Sequence, residues 1–448
     1  MSLRPSTALL QPSLHRQVLT LAIPMVLSNI TVPLLGLVDT AVIGHLDKAW
    51  YLGGVALGST FISVLFWLLG FLRMATTGLA AQAGGAKHHQ NLVQVLRQGL
   101  LLALILASVI LLGHQALANF IFGLSDASLE VKAAAQTYFS IRVWSAPAAL
   151  ANYVLLGWLL GTQNAKAPMW MVIISNLANI IFDLLFVLVF DWKVAGAASA
   201  SVLADYLGML VGFYFVYRTW LRLQLPRLWV GIRHAIEGMS RLLQLNRDIF
   251  LRSLCLQSVF SFMTFQGAEF GNDVAAANAV LMSFLMLISY GMDGFAYAME
   301  AMVGKAFGAK DRTALLDSLI GTSFWGLVVC VMLTFVFGFA GDQVIELMTD
   351  IPQVQSTAET YLPWLVAMPL ISMWCFLFDG IFVGATKADA MRNTVFIAAC
   401  CFFAIFFTFS AWENHALWAG MLTFMLMRGV GLGVIFISQW RGQRFFMD

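Results

Sequence analysis

Long apolar runs follow one another along almost the whole chain, separated by short polar or glycine-containing stretches. Each run has about 20 residues or more, which is the length that a helix needs to cross a hydrocarbon core of about 30 Å. The runs lack the alternation over about ten residues that is typical of a membrane β-strand. The pattern predicts twelve spanning helices, with bounds at roughly 17–40, 51–80, 92–121, 132–161, 168–190, 194–222, 246–269, 274–304, 314–341, 356–383, 391–411 and 414–440.

An internal repeat relates the two halves of the chain. Gly-x-x-x-Gly motifs occur at 157–161 and 380–384, and 380 − 157 gives an offset of 223 residues. The same offset superposes the Gly-Ala-Lys segments at 85–87 and 308–310. Six spans in each half give the halves the same topology, as in transporters built from parallel repeats. The predicted fold is therefore an all-α integral membrane protein with two pseudo-symmetric six-helix bundles.

Charge divides the predicted loops into two sets. Lys and Arg dominate one set and Asp and Glu the other, and the longest basic stretch is 223–245. The positive-inside rule places the basic set in the cytoplasm, so both termini are expected there. The expected domains are an N-terminal lobe 1–222, a cytoplasmic linker 223–245 and a C-terminal lobe 246–448, with a substrate cleft between the lobes. The linker is interpreted as a helical tether on the membrane surface.

Composition and missing motifs narrow the class of function. The chain is 60% hydrophobic and 11% charged, against about 45–50% and about 25% for soluble proteins. It has no phosphate-binding Gly-x-x-x-x-Gly-Lys-Ser/Thr loop. The five cysteines lie in apolar runs without metal spacing, and the seven histidines lie near span ends. We therefore expect neither an enzyme nor a cofactor, metal or nucleic-acid partner, and an ion gradient must drive any pumping.

Two carboxylates within the predicted spans are the main candidates for ion coupling, because ionisable residues inside a membrane are functional by default. Asp39 lies eight residues before Asp47, and Asp183 lies eight residues before Asp191. At 1.5 Å per residue, both are about 12 Å from the outer ends of their helices, so they can face one cavity. Two carboxylates in a low-dielectric site do not both ionise freely, and such a pair can take up a proton outside and release it inside.

Amide side chains accompany Asp183 on its helix. Asn176, Asn179 and Asp183 occupy positions i, i+3 and i+7, which share one helix face. Together with Asp39 they supply hard oxygen ligands, so sodium binding at Asp39, Asp183 and Asn179 is an alternative to proton binding. The spacing alone leaves the coupling ion open.

Other polar or helix-bending residues complete the predicted site. Pro24, about four turns before Asp39, weakens the helix and is a candidate hinge, although packing also accounts for such prolines. Asn152 and Ser201 are candidates for the substrate chamber with Asp39, or for hydrogen bonds between helices. The reserve candidates in the second half are Asp293, Asp379 and Glu269.

The 223-residue offset also shows where the two halves differ. It places Phe406 on Asp183, Phe402 on Asn179 and, less securely in register, Phe262 on Asp39. The second half is therefore apolar where the first half is charged. This difference favours ion coupling through the first lobe.

The segments SNITVPLLGLVDTAVIGHL (28–46) and LLGWLLG (155–161) closely resemble the DinF-like branch of the multidrug and toxic compound extrusion (MATE) transporters. The resemblance extends over essentially the whole chain. It implies a bilobed twelve-helix antiporter of the bacterial inner membrane that expels cationic or amphipathic drugs against proton or sodium entry. The matching residues are Asp39, Asn179 and Asp183 for the cation site, Pro24 for the bending proline, Asn152 for a fourth-helix Asn and, loosely, Ser201 for a sixth-helix hydroxyl.

Other branches of the family carry a cation-site Glu and Asp in the second lobe, and neither Glu269 nor Asp379 can be placed on those positions. The expected function is proton-coupled export of cationic or amphipathic small molecules by alternating access, carried out by a monomer in the lipid bilayer. The alternatives are a sodium-coupled drug antiporter and a flippase of lipid-linked saccharides. A flippase would need several Arg or Lys in its cleft to hold a large anionic headgroup, whereas the predicted chamber is acidic.

Overall fold

The computed structural model describes residues 10–44, 46, 48–123, 127–226 and 236–446. Within these ranges the chain is helical, and none of them contains a strand. The helices of the first half are α1 Pro12–Gly44, α2 Ala49–Leu68, α3 Phe71–Gly85, α4 His89–Gly123, α5 Leu129–Arg142, α6 Ala146–Gly161, α7 Lys166–Asp183 and α8 Lys193–Leu223. Those of the second half are α9 Met239–Glu269, α10 Asn272–Gly308, α11 Arg312–Met348, α12 Pro352–Gly384, α13 Ala388–Thr408 and α14 Asn414–Arg441.

Some of these helices join to form longer spans. A break at Leu69 and Gly70 separates α2 from α3, and together they form the span Trp50–Gly85. A 3-10 turn at Val143–Ser145 joins α5 and α6 within the span Leu129–Gly161. The described chain thus contains 11 helical spans that are long and apolar enough to cross a membrane.

The remaining predicted span, 246–269, is also helical. It coincides with the greater part of α9, which begins at Met239 and ends at Glu269. Arg247, Asp248 and Arg252 make this helix less apolar than the other spans. Helices therefore occupy all twelve predicted spans, which confirms the all-α membrane fold.

Two expectations concern segments that the structure does not fully describe, namely the linker and the two termini. Residues 227–235 of the linker 223–245 lie outside the described residues, as do residues 1–9 and 447–448. The interpretation of the linker as a surface tether and the cytoplasmic placement of both termini therefore stay predictions.

Helix packing repeats with the offset found in the sequence. A Cβ atom built on Gly157 would lie 2.5 Å from the carbonyl oxygen of Arg73, and one on Gly380 would lie 2.7 Å from that of Ala296. The second glycine of each motif meets a carbonyl oxygen four residues further along: Thr77 for Gly161 and Glu300 for Gly384. Since 296 − 73 and 300 − 77 both give 223, α6 packs on α3 as α12 packs on α10. The absence of a side chain at these glycines allows both close approaches.

The chain divides into two compact units, Met1–Val26 with Gln244–Asp448, and Leu27–Leu243. The first part of α1 packs with the second half, where Trp325 Nε1 donates a hydrogen bond of 3.0 Å to His15 Nδ1. The predicted lobes 1–222 and 246–448 differ from this division at the start of α1. The helix is continuous across the boundary, which falls two residues after Pro24.

Candidate ion-coupling site

The unit Leu27–Leu243 brings Asp39 on α1 and Asp183 at the end of α7 together. Their carboxyl groups lie within hydrogen-bonding reach of each other. Asp183 is 2% exposed, and neither of its oxygens has a hydrogen-bond partner, nor does Oδ1 of Asp39. Burying a carboxylate without donors is costly. The structure thus brings together the two carboxyl groups that the sequence analysis placed at one depth, and ion binding by them stays a prediction.

The amides of α7 connect this helix to its neighbours. Asn176 Nδ2 donates a hydrogen bond of 2.7 Å to Thr31 Oγ1 on α1. Asn179 Nδ2 donates a hydrogen bond of 3.1 Å to Ser201 Oγ on α8, while its own Oδ1 is buried without a partner. The amide oxygen of Asn179 is thus available one turn from Asp183. The structure brings Asn179 and Ser201 into the same polar group as the carboxyl pair, whereas Asn176 lies two turns away from Asp183 and contacts Thr31.

The helix changes its winding immediately after Asp183. Residues Leu184–Val189 form a π-helical segment, in which the amide of Phe190 donates to the carbonyl of Leu185 at 2.9 Å. Single π turns inside α-helices occur frequently at functional sites. The run LLFVLV is uniformly apolar, so its hydrophobic pattern carried no signal of this change.

Tyr138 is a site residue that the sequence analysis missed. It lies on α5, is 6% exposed, and interacts with Ser201, Arg142 and both carboxyl groups. Tyr138 thereby links the carboxyl pair to the other polar residues of the unit. Its spacing of four residues from Arg142, which places both side chains on one face of α5, was the available signal.

An ion pair lies next to this group. Arg142 Nη1 is 2.7 Å from Asp205 Oδ2, and Arg142 also contacts the hydroxyl of Ser145. Asn152 Nδ2 donates a hydrogen bond of 2.9 Å to the backbone carbonyl of Asp205, and the Oδ1 of Asn152 is buried without a partner. Asn152, predicted to line the chamber, therefore positions α8 at Asp205.

The equivalent place in the second half is filled by phenylalanines. The ring centroid of Phe262 on α9 lies 5.9 Å from that of Phe402 and 5.2 Å from that of Phe406, both on α13. Phe402 and Phe406 are buried. The contact between Phe262 and Phe406 corresponds to the contact between Asp39 and Asp183. The register assigned to Phe262 thus agrees with the side-chain contacts.

The reserve candidates of the second half lie apart from one another or are already paired. Oδ2 of Asp379 receives Arg428 Nη2 at 2.7 Å and also contacts Arg252, and all three residues are buried. Asp293 is half-buried on α10 and interacts electrostatically with Arg428. Glu269 is exposed at the end of α9, where it accepts a hydrogen bond of 2.8 Å from Gln266. The structure does not group Glu269 with Asp379.

Comparison with known proteins identifies the family. The MatE family model matches residues 24–185 and 249–410, two equal segments that correspond to the repeated halves. DNA damage-inducible protein F of Escherichia coli (strain K12) is 47% identical over 435 residues, which cover 95% of this chain and 93% of that protein. A probable multidrug resistance protein NorM of Bacillus cereus (strain ATCC 10987 / NRS 248) is 24% identical, over 92% of this chain and 94% of that protein.

Solved structures agree in fold. The crystal structure of a mutant of the Vibrio cholerae MATE transporter VcmN superposes with a TM-score of 0.83 at 20% identity, covering 97% of this chain and 99% of that one. The two-halved helical fold and the repeated family match define a multi-pass membrane transporter. The chain belongs to the MatE family, and it is a multidrug or toxic-compound efflux transporter.

Proposed function

We propose that this protein exports cationic or amphipathic compounds in exchange for protons and that the first half carries the coupling site. The observation that carries the proposal is the contact between Asp39 and Asp183, where three carboxyl oxygens have no hydrogen-bond donor. A proton shared by two such groups reduces their repulsion and the cost of burying charge. The pair is therefore more stable when protonated than when both groups are ionised.

The exchange cycle follows from this difference in stability. In the outward-open form the pair takes up a proton and the cationic substrate leaves. The protein then changes to the inward-open form, where the pair releases its proton and a new substrate binds. Pro24 lies where α1 passes from one compact unit to the other, and the hydrogen bond that a proline cannot donate makes this point easier to bend. Pro24 is therefore our candidate for the hinge of the alternating-access step.

Sodium remains the alternative coupling ion. The oxygens of Asp39, Asp183 and Asn179 are of the hard type that such a cation prefers. Proteoliposomes with separately imposed pH and sodium gradients distinguish the two ions. We expect a pH gradient alone to drive dye export and a sodium gradient at fixed pH to have no effect. Export driven by sodium alone would contradict proton coupling.

The test of the site uses Asp39→Asn and Asp183→Asn in the same vesicles, because Asn keeps the shape of the side chain but cannot ionise. Both variants should lose export driven by the pH gradient. Asp191→Asn is the matched control, since Asp191 is exposed between α7 and α8, and it should transport normally. Unchanged export by Asp39→Asn would contradict the proposal.

We also propose that the protein is a monomer in the bacterial inner membrane with both termini in the cytoplasm. The basic loops support this orientation through the positive-inside rule. The carboxyl and amide groups of the site suit a cation better than an anionic headgroup, which supports drug export over the flipping of lipid-linked saccharides.

A further inference from the structure

The ion pair between Arg142 and Asp205 is not part of the proposed coupling site, but Arg142 interacts electrostatically with Asp39 of that site. Arg142 ends α5, immediately before the 3-10 turn Val143–Ser145 in the middle of the span Leu129–Gly161. A 3-10 stretch inside a helix often marks a functional hinge. Asp205 is the thirteenth residue of α8, about 18 Å from its start. The two charged groups therefore lie near the middle of their helical spans. Ionisable residues at such positions cost free energy to bury and are usually functional.

The pair is held by charge more than by a well-directed hydrogen bond. Arg142 Nη1 approaches Asp205 Oδ2 to 2.7 Å, yet this buried oxygen has no hydrogen bond of acceptable geometry. Hydrogen bonds weaken steeply when the donor is poorly aligned. The side chains are 15% and 22% exposed, so neither is sealed in the core. Breaking a buried ion pair is costly, so Arg142 leaves Asp205 only when another carboxylate takes its place.

A polar path joins this ion pair to the coupling site. Three helices each contribute two polar residues four positions apart: Tyr138 and Arg142 on α5, Asn179 and Asp183 on α7, and Ser201 and Asp205 on α8. Asn179 donates to Ser201, Ser201 interacts with Tyr138, and Tyr138 interacts with Arg142. Arg142 also interacts electrostatically with Asp39. Arg142 thus pairs with Asp205 and also attracts a carboxylate of the coupling site.

Charge balance decides which carboxylates Arg142 pairs with. When Asp39 and Asp183 both lose their protons, their combined negative charge competes with Asp205 for Arg142. When a proton returns to that pair, Asp205 becomes the stronger partner. Three tyrosines also interact with these residues, namely Tyr138 on α5, Tyr153 on α6 and Tyr206 on α8. Arg73 on α3 interacts with Tyr153.

We propose that Arg142 is an exchangeable counter-ion that couples proton binding to substrate binding, with Asp205 as a contact for the positive charge of the substrate. In the deprotonated state Arg142 moves toward Asp39 and Asp183, which leaves the carboxylate of Asp205 free for a monocationic amphipathic molecule. Proton uptake returns Arg142 to Asp205 and displaces that molecule. Proton and substrate then exclude each other without touching the same carboxyl group. The inference rests on the proposed proton coupling and adds the residues through which it acts.

The test measures binding of the monocationic dye ethidium to purified, detergent-solubilised protein between about pH 8 and about pH 6. Wild-type affinity should fall about tenfold as the pH falls, a coupling of ordinary size. In Arg142→Gln no guanidinium returns to Asp205, so the dye should bind nearly as well at low pH as at high pH. Arg142→Lys keeps the charge and should keep the pH dependence. Arg218→Gln, an exposed arginine of the same span as Asp205, is the matched control and should behave as wild type.

Asp205→Asn provides a second, independent measurement. This variant should bind the dye about tenfold more weakly than wild type at high pH. Asp191→Asn, the same substitution outside the network, should bind it normally. A wild-type pH dependence in Arg142→Gln, or wild-type affinity in Asp205→Asn, would overturn the inference. If either variant does not fold, the other decides.

Failure of this inference can be told apart from failure of the proposed function. If Asp39→Asn exports dye in response to a pH gradient as wild type does, the proton-coupling site itself is wrong. If Asp39→Asn loses that response while Arg142→Gln binds dye with the wild-type pH dependence, the coupling site stands and the counter-ion exchange is rejected.

Discussion

Asp39 and Asp183 occupy in the first half the place that Phe262 and Phe406 occupy in the second. The backbone frames match, because Gly157 and Gly380 allow the same close approach to an equivalent helix. The interior chemistry does not match, since one half contains donor-free carboxyl groups and the other an edge-to-face aromatic cluster. Duplication therefore preserved the helix packing while the two interiors diverged. A repeated fold can thus carry a buried carboxyl pair in one copy only.

The second half also contains buried charged residues, but their pairing differs from that of the carboxyl groups in the first half. Asp379 is neutralised by Arg252 and Arg428 within its own unit, whereas the carboxyl groups of Asp39 and Asp183 face each other. The two guanidinium groups balance the charge of Asp379 and occupy one of its oxygens. Two facing carboxyl groups repel each other when both are ionised, so binding a proton or a cation between them lowers their energy.

The largest effect is expected from placing a carboxyl group in the aromatic cluster. Phe262→Asp removes edge-to-face contacts with Phe402 and Phe406 and buries a polar group without donors, so the free energy of unfolding should fall by about 5 kcal/mol. Thermal unfolding of the purified protein in detergent measures this. Phe265→Asp is the control, because Phe265 is 72% exposed and one turn from the end of α9, and it should destabilise far less. Equal losses in the two variants would contradict the matching of Phe262 with Asp39.

A smaller loss is expected when the buried ion cluster is broken. Asp379→Asn removes the carboxylate that the buried Arg252 and Arg428 share and should lower the free energy of unfolding by about 3 kcal/mol. Asp389→Asn, at an exposed position in the first turn of α13, should change it little. Denaturant titration in mixed micelles provides the comparison. Full stability of Asp379→Asn would show that the cluster does not hold the second half together.

The packing glycines should respond alike in the two halves. Gly161→Ala and Gly384→Ala each place a methyl group within 3 Å of a backbone carbonyl oxygen and should each cost about 2 kcal/mol of stability. Gly113→Ala on α4 is the control, because nothing lies within 4 Å of the added atom. The same unfolding assay applies. A loss of stability at one of the two glycines and none at the other would contradict the equivalence of these two packing sites.

The smallest change in stability is expected at the coupling site. Asp183→Asn replaces a buried carboxyl group that has no donors with a neutral amide, so the free energy of unfolding should change by less than about 1 kcal/mol or rise slightly. The same substitution should therefore lower the free energy of unfolding at Asp379 but hardly change it at Asp183. A loss of stability at Asp183 as large as that at Asp379 would indicate a structural role for Asp183.

The sequence predicted the helices and the acidic site because both follow from local spacing. The length of the apolar runs predicted the spans. The constant offset identified the phenylalanines at the positions of the second half that are equivalent to Asp39, Asn179 and Asp183. The pairing of residues on different helices does not follow from spacing, so the contacts of Tyr138 and the pairing of Arg142 with Asp205 required the structure. The same limit applied to α1, whose pattern is continuous although its first part packs with the second half. The π turn after Asp183 lies in a uniformly apolar run and was equally hidden.

The most direct test of coupling through the first half is the release of protons when ethidium binds to purified protein in weakly buffered solution. Wild type and Asp293→Asn, which alters an acid of the second half, should both release protons on binding. The double variant Asp39→Asn with Asp183→Asn should release none, because its carboxyl pair can no longer ionise. Proton release by the double variant at the wild-type level, or its loss in Asp293→Asn, would contradict the account.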